Sequence, residues 1–171
     1  MKKVVIIIAK NSFRDEEYLV PKEILQNAGV EVVTASSSIG VAYGKLGAVV
    51  NVDIILRDID VKKFDAVIFV GGGGATSYFD DKQAHRIAVE SVNNKKVLAA
   101  ICVAPVILAR AGALKGKKAT VFSSEIKEIE KYGAVYTNKN IERDGFIITA
   151  SGPSAARDFG EKILLALNEE K

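Results

Sequence analysis

Cys102 is the only cysteine of the chain, and it stands where an apolar run, Val97 to Ile101, passes directly into a helical segment that begins near Ala104. Small residues lie two positions to either side of it, Ala100 and Ala104. That is the steric setting of a nucleophile elbow, a sharp strand-to-helix turn that lifts one side chain above the sheet edge. The first free N–H groups of the following helix would lower the pKa of a thiol there and stabilise a developing oxyanion. A packing role competes with this reading, because an unpaired cysteine behaves as a small hydrophobe. On position alone the two stand level. The reactive reading predicts a thiolate that forms well below the ~8.5 of a free cysteine.

Two further clusters could meet that thiol. If the apolar runs are parallel strands, the residues that follow Ala9, Val70 and Ile101 share one edge of the sheet. Those residues are the acidic group Asp15-Glu16-Glu17, the glycines Gly71 to Gly74, and Cys102. A carboxyl can shuttle a proton, and glycines let backbone N–H groups approach an oxyanion. Asp15 and Glu16 also suit a helix start by charge alone, and that is the reading given to both. The glycine run lacks the Lys-Ser/Thr of a phosphate-binding P-loop and does not follow the first strand, as a dinucleotide fingerprint would. His85, the only histidine, lies in a polar helix and reads as a solvated surface residue. No residues have metal-ligand spacing, so no metal is expected.

Hydrophobic periodicity supplies the elements that must position these groups. Lys3 to Ala9, Glu31 to Ala35, Ala66 to Val70 and Val97 to Ile101 read as strands. Helical patterns cover Glu16 to Ala28, Gln83 to Asn93, Ala104 to Ala109, Ser124 to Tyr132 and about 154 to 168. Val41 to Leu56 reads as a small hairpin excursion, Ala119 to Phe122 as a short strand, and Asp144-Gly145 as a two-residue hairpin turn. The alternation predicts one α/β domain over 1–171, a doubly wound, flavodoxin-like, mostly parallel sheet with helices on both faces.

Composition narrows the class. Of 171 residues, 49% are hydrophobic, enough for one well-packed domain, and the net charge is +3. The lysine pairs 2–3, 62–63, 95–96 and 117–118 each precede a strand-like run, so they are expected at the sheet edge opposite Cys102. They read as solubilising residues, with no aromatic interleaving for nucleic acid. No run approaches the ~20 apolar residues of a membrane span, and no signal pattern precedes the first strand. A cytoplasmic protein with no nucleic-acid or membrane partner is the expectation.

Four spaced segments carry a resemblance: residues 13–21 (FRDEEYLVP), 64–72 (FDAVIFVGG), 99–105 (AAICVAP) and 144–153 (DGFIITASGP). In this order they resemble the ThiJ/PfpI superfamily, which includes the parkinsonism-associated protein deglycase and archaeal intracellular proteases. The resemblance implies Cys102 as nucleophile, Glu17 as the glutamate hydrogen-bonded to its sulfur, and the N–H groups of Gly72 and Val103 as an oxyanion hole. It also implies a homodimer, which can build into a hexamer, with no cofactor. One departure stands out. The protease branch has a histidine directly after the cysteine, where this chain has Val103, and the deglycase branch has one where this chain has Phe122. Without an imidazole to protonate an amine leaving group, peptide hydrolysis is disfavoured. The leading expectation is glyoxalase or deglycase-type chemistry on small reactive carbonyls, with Glu17 as proton shuttle. The alternatives are an intracellular cysteine peptidase acting on peptides, and an oxidative-stress sensor or chaperone that works through a Cys102 sulfinate.

Overall fold

A run of β-branched residues loses little by being extended and gains most when both its faces are covered. Val4 to Ile8 meets that condition: Val5 and Ile7 lie in one apolar core, Val4, Ile6 and Ile8 in another on the opposite face. The computed structural model describes residues 1–169. In chain order its strands are β1 (Lys3–Ile7), β2 (Asn11–Phe13), β3 (Glu31–Ser36), β4 (Gly40–Gly44), β5 (Val49–Val52), β6 (Ile54–Ile55), β7 (Ala66–Phe69), β8 (Val97–Ile101), β9 (Lys118–Ala119), β10 (Val135–Tyr136), β11 (Ile141–Asp144) and β12 (Ile147–Ala150). The helices are α1 (Asp15–Asn27), α2 (Lys82–Asn93), α3 (Pro105–Arg110), α4 (Ile126–Lys131) and α5 (Ala156–Asn168).

Among the described residues seven strands form one sheet in the order β11-β12-β8-β7-β1-β3-β6. Every pairing in it is parallel except the β11–β12 hairpin, which turns through Asp144-Gly145 as the sequence predicts. Helices cover both faces. Ile87 of α2, Val106 of α3 and Ile129 of α4 join the core that holds Val5. Leu25 of α1 and Phe159 and Ile163 of α5 join the core that holds Ile6. This is the mostly parallel α/β sheet expected, and β8, β7 and β1 lie side by side with their C-terminal ends at one edge.

The hairpin excursion is also present. β4 and β5 pair antiparallel, and β2 joins β4 to make a separate three-stranded sheet. Three details differ from expectation. The strand near Ala119 is shorter, because the N–H of Thr120 donates to the Thr149 side chain at 2.9 Å and that of Phe122 to the Cys102 carbonyl at 2.8 Å, so neither feeds a ladder. The Lys117–Lys118 pair runs into β9, which belongs to a separate two-stranded sheet, so only the other three pairs share the main sheet's N-terminal edge. The helix after Cys102 starts at Pro105, whose missing N–H costs nothing in a first turn. No described helix is long and apolar enough to cross a membrane.

Candidate active site

Cys102 has a φ of +64°, a left-handed backbone that a side-chain-bearing residue adopts at a cost of about 1–3 kcal/mol. The surroundings hold it there. Its N–H donates to the Ala150 carbonyl at the end of β12 at 2.9 Å, and its own carbonyl accepts from the Phe122 N–H at 2.8 Å. Strand β8 thus ends in the predicted elbow, pinned from both sides.

Glu17 reaches the elbow from the first turn of α1. The residue between them is Gly71, at the end of β7, whose N–H donates to Glu17 Oε1 at 2.9 Å. A Cβ on Gly71 would stand 2.6 Å from the Cβ of Cys102 and 2.6 Å from Glu17 Oε1, so only a glycine admits both side chains. The Gly71 carbonyl accepts from the Arg14 N–H at 3.0 Å, which fixes the entry into α1. Gly72 follows at φ +98°, and a Cβ there would lie 2.5 Å from the Arg14 nitrogen. The N–H groups of Gly72 and Val103 face the sulfur of Cys102, and each draws its pKa down. The four residues expected at the site are therefore together.

Their electrostatics depart from expectation. The thiol is not an exposed group of low pKa: Cys102 is 8% exposed, and burial, with the Glu17 carboxyl adding to it, pushes the thiol up to about 12. The two N–H groups offset only part of this. Burial also raises the Glu17 carboxyl to about 7, against the pull of the thiol, the Gly71 N–H and Arg14. Two negative charges in so small a buried space repel, so ionisation of either group makes ionisation of the other harder. Glu17 Oε2 is buried without a backbone or hydroxyl partner, and the carboxyl meets the Cys102 thiol in a side-chain hydrogen bond.

A cavity of about 180 Å³ opens over the sulfur, walled by Gly72, Gly73, Val103, Phe122 and Pro153, with Arg14 and Lys45 at its rim. Phe122 and Val103, the positions where an imidazole could have stood, supply apolar wall instead. His85 does not line this cavity. It is half-buried on α2 with Nε2 at 2.6 Å from the Phe79 carbonyl, a structural contact rather than a solvated side chain.

Sequence reasoning missed several supporting residues. Asp15 does more than complement a helix start: its carboxylate accepts the N–H groups of Leu46 and Ala48, each at 2.8 Å, and so ties the β4–β5 turn to α1. Glu16 binds the Arg14 guanidinium through both its oxygens, at 2.7 and 3.2 Å. Arg14 and Lys45 were legible as residue types but not as neighbours of Cys102, since neither lies near it in sequence, and Gly71, expected at this edge, was not foreseen as the residue that separates Glu17 from Cys102. Among the described residues no group of three or more His, Cys, Asp or Glu side chains is placed to hold a metal.

A doubly wound sheet that presents a cysteine on a strained strand-to-helix turn, faced by a helix-borne glutamate, defines a class of α/β proteins built around one thiol. The chain belongs to the DJ-1/PfpI family, whose model matches residues 2–166. A deglycase from Thermococcus kodakarensis is 31% identical over 149 residues, spanning 87% of this chain and 90% of its own. A Bacillus subtilis protein that carries a provisional cysteine-protease name is 30% identical over 165 residues, spanning 96% of this chain and 98% of its own. The crystal structure of a ThiJ/PfpI domain protein from Brachyspira murdochii superposes with a TM-score of 0.97 at 32% identity, covering 99% of this chain and 98% of that one.

Proposed function

We propose that the protein is a cofactor-free enzyme of the glyoxalase or deglycase type, in which Cys102 adds to the aldehyde carbon of a small 2-oxoaldehyde and Glu17 moves the protons. The Glu17 carboxylate takes the thiol proton as the sulfur–carbon bond forms. The carbonyl electrons move to oxygen, which the N–H groups of Gly72 and Val103 stabilise, and Glu17 returns the proton to give a hemithioacetal. The carboxylate then removes the proton on the sulfur-bearing carbon and delivers a proton to the adjacent carbon. The result is a thioester of a 2-hydroxy acid. Water cleaves it and regenerates the thiol, so 2-oxoaldehyde plus water becomes 2-hydroxy acid with no external oxidant or reductant.

The observation that supports this reading best is the buried Glu17 carboxyl, raised to about 7 and hydrogen-bonded to the Cys102 thiol. A group poised near the working pH serves equally as base and acid. The cavity, about 180 Å³, is smaller than the ~300–1,000 Å³ of sites for drug-sized ligands and favours small carbonyls over peptide side chains. The deglycase name of the Thermococcus kodakarensis relative agrees with carbonyl chemistry. Peptide hydrolysis is the weaker reading because Val103 and Phe122 leave no imidazole beside the sulfur to protonate the leaving amine. Wild-type protein should convert methylglyoxal to lactate, and Cys102→Ser should lower kcat/KM by at least about 10³-fold. Cys102-dependent cleavage of fluorogenic peptides without methylglyoxal turnover would replace this reading with the peptidase.

A further inference from the structure

The turn between β4 and β5 places an exposed cation at the edge of the Cys102 cavity, and the fold does not neutralise it. Lys45 lines the Cys102 cavity, and among the described residues its ammonium makes no ion pair or hydrogen bond. The other charge at the rim, and the carboxylate bonded to the turn, are engaged. Arg14 is paired with Glu16 at 2.7 Å, and both oxygens of Asp15 are occupied by the N–H groups of Leu46 and Ala48. The turn itself is well held: the Lys45 N–H donates to the Phe13 carbonyl at 2.9 Å, and the Gly44 N–H to Ala48 at 2.8 Å. A Cβ on Gly44 would lie 2.5 Å from Asp15 Oδ2, so the turn and the acidic helix start are fitted to one another. These contacts fix the backbone that projects Lys45, and none of them uses its charge.

We propose that Lys45 is a specificity-determining residue that binds a substrate carboxylate, so that the preferred substrates of the Cys102 site are small 2-oxoaldehydes bearing a carboxylate on the carbon chain away from the aldehyde. The proposal rests on the carbonyl reading of Cys102 and extends it to substrate class. The chemistry at the aldehyde is unchanged. For 4,5-dioxopentanoate the sulfur adds to the aldehyde carbon, the proton moves to the neighbouring carbon through Glu17, and water releases 2-hydroxyglutarate. Lys45 takes no part in bond making; it holds the distal anion while the aldehyde meets the sulfur.

The test compares two alkylating agents of nearly the same shape, iodoacetate and iodoacetamide, read at Cys102 by intact mass. The ratio of their rates should exceed the ratio measured with glutathione, fall about fivefold in Lys45→Gln, return in Lys45→Arg, and shrink as salt is raised. In parallel, kcat/KM for 4,5-dioxopentanoate relative to methylglyoxal should fall by a similar factor in Lys45→Gln, mainly through KM. An alkylation ratio identical in wild type and Lys45→Gln overturns the proposal, even if methylglyoxal is turned over. A Lys45-dependent alkylation ratio in a protein that turns over neither oxoaldehyde would instead sink the carbonyl reading and leave the carboxylate subsite standing.

Discussion

Gly71→Ala is expected to lower both stability and activity sharply. The new Cβ would stand 2.6 Å from the Cys102 Cβ, 2.6 Å from Glu17 Oε1 and 2.8 Å from the Ile101 carbonyl oxygen. Two of those three neighbours cannot swing away. One is backbone, and the other is the first side-chain atom of a residue whose N–H and carbonyl are both hydrogen-bonded. Relief must come from moving β7 against β8, or from pushing the Glu17 carboxyl off the Gly71 N–H. Overpacking of this kind costs about 3 kcal/mol, a fall of about 6–12 °C in Tm for a chain of this length. A displacement near 1 Å between Glu17 and the sulfur should also lower kcat for methylglyoxal by about 10²-fold. Thermal denaturation and steady-state kinetics on one preparation check both. A variant with wild-type Tm and kcat would mean that Glu17 and Cys102 are not packed against Gly71.

Glu17→Gln should separate stability from catalysis. The carboxyl titrates near 4.5 when unfolded and at about 7 when folded. Between those values the native protein binds more protons than the unfolded chain, so stability falls as pH rises through this window. The loss is complete above the folded pKa and amounts to about 3 kcal/mol. Glutamine cannot ionise, yet its oxygen can keep the bond to the Gly71 N–H. Urea denaturation should therefore show wild type losing stability from pH 5 to pH 8 more steeply than Glu17→Gln, with the variant the more stable at pH 8. Activity moves the other way. Wild-type kcat/KM for methylglyoxal should rise with pH through a midpoint near 7, as the carboxylate forms. In Glu17→Gln it should fall by about 10²–10⁴-fold with that midpoint gone. Parallel pH–stability curves for the two proteins would show that Glu17 is not a buried acid of raised pKa.

Much of this site can be read from the chain, for identifiable reasons. Parallel strands end at a common edge, so the segments after β1, β7 and β8 had to meet, and the spacing of Glu17, Gly72 and Cys102 relative to those ends brings them together. The elbow was visible because Ala100 and Ala104 leave room for a tight turn. The hairpin at Asp144-Gly145 follows from local turn chemistry alone. What stayed hidden depends on contacts between residues far apart in sequence. Gly71 binds Glu17 across 54 positions, and Asp15 holds a turn more than 30 residues away. Neither has a local signature. The thiol's environment was misjudged for the same reason. Exposed N–H groups at a helix start are predictable from an elbow, whereas the enclosure that raises Cys102 comes from distant pieces, Phe122 and the strand ends, closing around it.

The deuterium content of the product offers a decisive reading of Cys102 and Glu17 together. Methylglyoxal is incubated with the protein in D₂O and the lactate formed is examined by ¹H NMR. A proton carried by Glu17, exchanging with solvent, should leave lactate with deuterium on the carbon that bears the hydroxyl, formed by wild type and not by Cys102→Ser. Lactate appearing at the same rate with Cys102→Ser, or carrying only hydrogen at that carbon through a direct hydride shift, would contradict the thiol addition and proton shuttle proposed for this pair.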